Sequence, residues 1–374
     1  MPSVILILIY CTEGYGKIAE KAAWVEESNV AMFTKLAIIL WLTPFFIKHW
    51  RRSLWFLAMG VIFVIGQLTI PDGFKEEMIV TFAKYLFPIA LFIFFHRLSS
   101  KGQQWRLLFK TFQAILIVNS LLIIVGFIFD LKWFYAYKWG RFGFNGLLNV
   151  SSTSTYVYII GQMCYLLWYK VDFFKKWPTY LLIVASILMG TKGVILGLFF
   201  TFLAYFLFYS NLSMKKKKLI LFVVIGFAIL LFYIFFFRVG IFNEIREEEG
   251  LITSILSMRD ELLLEEMLPF IKNEWNWINY LFGSYNDNLS RSQMGFIDIF
   301  YFWGLLGGLL YVYLYYKTFA IFKATPQNLY IVFALIIIIF LAGNFFENGS
   351  VAIYMLVFQK SLLLNQNSLQ VKNT

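Results

Sequence analysis

Charge is what this chain has least of. Only 14% of its 374 residues are Asp, Glu, Lys or Arg, where a soluble domain carries about 25%. Cysteine is nearly absent. Cys11 and Cys164 form no CxxC pair, which excludes a disulfide scaffold and a Cys-based metal site. No Asp-x-Asp pair occurs, so neither a conventional divalent-metal clamp nor a cofactor is expected. The chain is instead 60% hydrophobic and 21% aromatic, with a mean hydropathy of +0.73. This composition excludes a soluble enzyme, a disordered chain and a nucleic-acid module. It reads as a polytopic membrane protein whose solvent is the lipid bilayer. The net charge of +11 does not make a nucleic-acid surface, because the basic residues fall between long apolar runs.

A bilayer core of about 30 Å takes roughly 20 apolar residues per helix. Lipid forces each segment to satisfy its own backbone, and the aromatic runs show no dyad alternation, so helices are expected rather than a barrel. Spans are expected near 31–47, 54–70, 78–95, 107–129, 148–169, 219–237, 294–316, 328–343 and 349–363. The stretch 178–209 is too long for one upright helix. Gly190-Thr191-Lys192-Gly193 interrupts it, and two short helices with a tight turn at Lys192 are expected. Residues 2–10 give half a span, either a half-helix or the remainder of a longer one; no basic stretch precedes them as in a signal peptide. The fold class is thus all-α: one integral membrane domain over 1–374, with about 11–12 transmembrane helices.

Basic residues set the direction of the spans. Lys48, Arg51 and Arg52; Arg97, Lys101, Arg106 and Lys110; Lys170, Lys175 and Lys176; Lys215 to Lys218; and Lys317 and Lys323 fall in five short loops. All five share one side only if 178–209 crosses twice, which independently supports the turn at Lys192. His49 and His96 lie on that side at helix ends, where interfacial packing is expected. The opposite loops are acidic or mixed: 11–30, Asp72 to Glu77, 130–147, 238–293 and Asn344 to Gly349.

The segment 238–293 is the one long loop, with five basic and ten acidic residues, among them Asp287. Long loops in tight proteins tend to carry function. Ser257 and Asp260 have capping-box spacing, so a helix over about 258–268, ended by Pro269, is expected. Leu262, Leu263 and Met267 would rest on the bundle or the membrane surface, and Trp275, Trp277 and Tyr280 suit an interfacial belt.

Arg141, Lys192, Arg238, Arg259 and Arg291 are cations on the wrong side for topology. A cation near lipid wants a partner or a role, and Arg forks onto phosphate or carboxylate. Such cations facing a groove could hold a lipid diphosphate; pairing with Glu247 to Glu249 or Glu261 is the alternative. Four strips carry them. Arg141-Phe-Gly143-Phe-Asn145-Gly146-Leu-Leu-Asn149 precedes the hydroxyl run Ser151 to Thr155, which offers caps and polar lining. Gly190-Thr-Lys192-Gly193 is second and Ser257-Met-Arg259-Asp260 third. The fourth joins Phe282-Gly283 to Arg291-Ser-Gln293, Asp298 and Gly304-Leu-Leu-Gly307. Asp298 lies about one turn inside its helix, where an ionisable group suggests function or an Arg partner.

The order of these strips resembles the O-antigen and capsular polysaccharide polymerases (Wzy-type) within the O-antigen ligase/polymerase superfamily, over about residues 140–310. Arg141, Gly143 and Asn149 match its first strip. Lys192 stands where Arg is usual. Arg259 opens the large loop, Phe282-Gly283 closes it, and Gly304 and Gly307 match the Gly-x-x-Gly. Gln293 stands where many relatives carry His or Glu, and Gly295 where capsular-type relatives have a second acid. The resemblance implies a metal-independent membrane glycosyltransferase of the GT-C type in the bacterial cytoplasmic membrane. It would join undecaprenyl-diphosphate-linked glycans, with a chain-length regulator and a flippase as further partners. It assigns Arg259 and Asp298 to catalysis, and Arg141, Asn149, Lys192 and Arg291 to substrate. A lipid-linked oligosaccharide flippase and an O-antigen ligase are the alternatives. A transporter would tend to show comparable halves, which this chain lacks.

Overall fold

The computed structural model describes residues 1–374 apart from 23, 24, 26, 27, 71–73, 98–101, 138–140, 239, 286–290 and 371–374. Asp72, Lys101 and Asp287, read above as loop charges, lie outside the described residues.

The protein is all-helical, and its helices follow the apolar runs. The first five are α1 (Pro2–Lys21), α2 (Val30–Lys48), α3 (Trp50–Gln67), α4 (Glu76–Arg97) and α5 (Gly102–Ile128). Next come α6 (Ser151–Tyr169), α7 (Trp177–Leu188), α8 (Lys192–Ala204) and α9 (Met214–Phe237). The long loop folds into α10 (Gly240–Glu248), α11 (Leu251–Leu256), α12 (Arg259–Glu261), α13 (Leu268–Glu274) and α14 (Trp277–Phe282). The chain finishes with α15 (Gly295–Phe319), α16 (Pro326–Ala342) and α17 (Gly349–Gln370). Five helices are long and apolar enough to cross a membrane: α2, α4, α5, α15, and α8 with the π-turn that prolongs it to Tyr209. α7, α16 and the first part of α17 are shorter apolar helices.

The packing places lipid on the outside. α6 is buried without interruption from Thr153 to Leu167, and α17 is buried just as completely from Ser350 to Leu362. A helix apolar all round needs helices on every side, so these two form the core of the bundle. Peripheral α2, α3 and α9 instead turn large apolar side chains outward, including Leu40, Ile47, Leu57, Phe222 and Ile229. Such a surface fits hydrocarbon and not water.

Three expectations fail. Residues 2–10 are not half a helix, and 11–21 are not loop, because α1 continues to Lys21. Its buried face (Ser3, Leu6, Ile9, Tyr10, Glu13, Lys17) follows the helical period straight across the polar residues. The helix at 258 does not end at Pro269. A π-turn over Leu262–Met267 separates α12 from α13, and Pro269 stands at the start of α13 rather than ending the helix. Nor do the hydroxyls of 151–155 cap α6: its N-cap is Val150. They join elements instead. Ser151 donates to the Tyr137 hydroxyl at 3.1 Å, Thr155 donates to Thr191 at 3.3 Å, and Thr153 accepts from Asn348 at 2.8 Å. Short hydroxyl side chains are suited to such interhelical bonds in lipid.

Within 238–293, Met267, Ile271 and Trp275 are buried in the core. Trp275 stacks on Tyr301 at 5.9 Å, so it anchors the loop to α15 rather than lying in an interfacial belt. Trp277 and Tyr280 are exposed. The loop's far end is fixed by three glycines. A Cβ on Gly66 would come within 2.2 Å of the Gly283 carbonyl, one on Gly283 within 2.4 Å of the Phe302 carbonyl, and one on Gly304 within 2.3 Å of the Gly283 amide. Gly304 (φ +66°) breaks α15 to admit α14. Asn279, fully buried, donates to the Gly66 carbonyl at 3.1 Å and to Thr69.

Gly283→Ala and Gly304→Ala should each lower the thermal midpoint of the purified protein by many degrees. Gly226→Ala on α9, with nothing within 4 Å of its added Cβ, should leave it unchanged or slightly raised. Reporter fusions placed after Lys216 and after Glu265 should mark opposite faces of the membrane.

Candidate functional site

Backbone contact between two of the strips builds the site. After α5, two short stretches lie side by side: the Asn145 amide donates to the Phe134 carbonyl at 2.9 Å, and the Ala136 amide to that of Gly143 at 2.9 Å. The Phe144 amide reaches across to the Leu188 carbonyl at the end of α7, at 3.0 Å. Gly143 (φ +151°) and Gly190 (φ +64°) make this approach possible. A Cβ on Gly143 would lie 2.4 Å from the Met189 carbonyl, and one on Gly190 would lie 2.6 Å from that of Phe142. Arg141 is thereby brought beside the break that carries Lys192.

The long loop supplies the third side. Phe242 of α10 lies between the two cations. The Arg141 guanidinium is 5.1 Å from its ring centroid and the Lys192 ammonium 3.7 Å. Arg141 also covers the Tyr137 ring at 4.4 Å. These cation–π contacts let two positive charges share one neighbour. Lys192 donates to the Ser254 carbonyl, the Ile255 carbonyl at 3.3 Å and the Ser257 hydroxyl at 3.1 Å. It thus caps the C-terminal carbonyls of α11, where a cation is favoured.

That arrangement replaces the capping box expected at Ser257. Ser257 (φ +57°) and Met258 (φ +63°) are both left-handed, and the N-cap of α12 is Met258 with no side-chain cap. Ser257 is engaged by Lys192, and Asp260 accepts from Thr253 at 2.7 Å. The chain turns sharply there and aims Arg259 at the bundle. Arg259 donates to the Leu341 carbonyl at the end of α16, at 2.5 Å. Burial holds its guanidinium below the ordinary value. Arg141 pushes the same way, while Tyr156, Asp298 and Tyr137 push back. Lys192 lies within electrostatic reach of both Arg141 and Arg259.

Arg141, Lys192 and Arg259 therefore gather in one place, each half-buried. Among the described residues none of the three has a carboxylate within ion-pairing distance. The Arg141 Nε is buried and has no hydrogen-bond partner among the described residues. Glu247 pairs with Arg246, not with this group.

The other expected site residues are placed differently. Arg291 forms an ion pair with Glu347, and both side chains are mostly buried. Asp298 is buried and accepts from the Ser292 hydroxyl at 2.8 Å. Asn149 donates to Glu20 of α1 at 3.4 Å. Arg238 donates to the Tyr233 hydroxyl at 3.2 Å on α9. Gln293 (φ +56°) has its Oε1 3.5 Å from the Asn344 amide nitrogen.

Sequence reasoning missed the support beneath Arg141. Lys17 of α1 is only 1% exposed and donates to Asn145 Oδ1, to the Gly146 carbonyl at 2.7 Å and to the Leu148 carbonyl at 3.4 Å. Asn119 of α5 accepts from the Leu147 amide at 2.9 Å and donates to the Asn145 carbonyl at 3.2 Å. Two buried polar side chains thus fix the segment running from Arg141 to Ser151. The spacing of Ile9, Glu13 and Lys17 four residues apart could have revealed Lys17. No sequence signal pointed to Phe242 or Glu347.

No family model, no curated protein and no solved structure matches this chain.

Arg291→Ala and Glu347→Ala should each destabilise the protein by about 3–5 kcal/mol, because each strands a buried charge. The double variant should cost clearly less than the two added together, as thermal denaturation in a double-mutant cycle would show. Lys17→Met should lower the thermal midpoint strongly, since it orphans Asn145 and two carbonyls.

Proposed function

We propose that this chain is a bacterial polysaccharide polymerase of the O-antigen or capsular type. It would join undecaprenyl-diphosphate-linked repeat units at the outer face of the cytoplasmic membrane. The observation that supports this reading is the meeting of Arg141, Lys192 and Arg259 where the long loop joins the bundle, with no carboxylate paired to any of them among the described residues. Three such cations call for a polyvalent anion, and a lipid diphosphate supplies one.

In this reading a hydroxyl oxygen of the acceptor sugar bonds to the anomeric carbon of the donor glycan. The bond from that carbon to the diphosphate oxygen breaks, and the electron pair leaves with undecaprenyl diphosphate. Negative charge grows on the leaving oxygen, and guanidinium and ammonium groups already in place stabilise it most in the transition state. The hydroxyl proton passes to Asp298, whose buried carboxylate is oriented by Ser292. Arg291, paired with Glu347, takes the role of a scaffold, and Asn149 has no direct part.

A strain lacking the chain should accumulate single repeat units on the lipid carrier, and wild-type protein should restore the polymer ladder. Arg259→Ala and Arg141→Ala should reduce polymer formation by about 10²–10³ at unchanged membrane levels. Intermediates trapped on the cytoplasmic leaflet would identify a flippase instead, and full-length polymer left on the carrier a ligase.

A further inference from the structure

The other end of the core helices carries a buried cation that the proposed reaction does not use. Lys360 of α17 is 2% exposed, and its ammonium has no hydrogen-bond partner among the described residues. Its contact is with the face of Trp105, 4.7 Å from the ring centroid. The donors on either side are satisfied, while the Gln359 Oε1 has no partner among the described residues. Gln359 donates to the Thr318 and Phe319 carbonyls at 2.8 and 2.9 Å, and Ser361 accepts from Trp168 at 2.9 Å. Among the described residues no carboxylate pairs with Lys360. His96 lies within electrostatic reach of Lys360, and Arg52 within reach of His96.

The position of Lys360 follows from two contacts. α6 and α17 run side by side in the same direction, with Thr153 meeting Asn348 at one end and Trp168 meeting Ser361 at the other. At about 1.5 Å per residue these ends are about 22 Å apart. The group around Arg141 sits at the first end, where Ser151 touches Tyr137. Lys360 is therefore toward the opposite face, the one on which the short basic loops are placed by the sequence.

A buried ammonium with no acceptor is strongly unfavourable unless an anion completes it. We propose that Lys360, backed by Trp105 and with His96 within electrostatic reach, is a binding site for a phosphate-bearing anion, either an anionic phospholipid headgroup of the inner leaflet or free phosphate. Phosphate oxygens accept charge-assisted hydrogen bonds from an ammonium, and basic pockets between spanning helices suit lipid headgroups. The site is independent of the reaction proposed above.

The test uses the full chain in phosphatidylcholine nanodiscs, with or without phosphatidylglycerol, and in neutral detergent with or without inorganic phosphate. Thermal midpoint and bound lipid, the latter by native mass spectrometry, are the readouts. Phosphatidylglycerol should raise the midpoint and stay bound to wild type. Lys360→Met should weaken that binding about tenfold, as loss of one charge-assisted hydrogen bond would, and Lys360→Arg should keep it. An equal shift from inorganic phosphate in detergent would assign the site to the free anion, and a shift with lipid alone to the headgroup. If Lys360→Met does not accumulate, the exposed His96 serves: His96→Glu, a carboxylate within electrostatic reach of Lys360, should weaken binding in the same sense. No shift with either anion, or full binding by Lys360→Met or by His96→Glu, overturns the proposal.

Discussion

Three positive charges held together, with no carboxylate paired to them among the described residues, set the terms for the loop-bearing side of this protein. Like charges in partly buried surroundings repel more strongly than in water, so the fold must supply other attractions. It does so with the Phe242 and Tyr137 rings, which face Arg141 and Lys192, and with main-chain carbonyls. Lys192 takes those at the end of α11, and Arg259 takes one at the end of α16. Each carbonyl is the negative end of a helix, a partial charge that cannot titrate away. The cations are thus tolerated without being cancelled.

Polar side chains inside the bundle serve a second purpose, which is to fix irregular backbone. The segment between α5 and α6 carries amides and carbonyls that no helix satisfies, and such backbone is stable in a membrane protein only where protein surrounds it. Lys17 and Asn119 reach it from two neighbouring helices, and Gly143 and Gly190 let it rest directly on the α7–α8 break. The same principle recurs where Gly66, Gly283 and Gly304 meet.

Much of this was legible in the sequence, and the reasons differ by element. Long apolar runs announced the helices. The break at Gly190 followed from length and from the distribution of basic residues, and α7 and α8 end and start on either side of it. The grouping of Arg141, Lys192 and Arg259 was expected because cations on the outer side lacked a topological reason. Local patterns that compete with tertiary contacts were not legible. Ser257 has the spacing of a helix cap, yet Lys192, far away in sequence, engages its hydroxyl. Glu13 and Lys17 looked like loop residues because charge normally ends a span, whereas here the burial stripe of α1 continues through them. Glu347 stood in a short loop with nothing to connect it to Arg291.

The long loop is secured unequally along its length. Its last turns are wedged into α3 and α15 by backbone contact that leaves no slack. Its first turns are tied at the bundle through Lys192, next to two left-handed residues that any straightening would relieve. An incoming anion and the α11 carbonyls would draw on the same ammonium, so occupancy of that ammonium by one is exclusion of the other. The loop would then behave as a flap fastened along one edge, with its catch made from a residue that also greets the visitor.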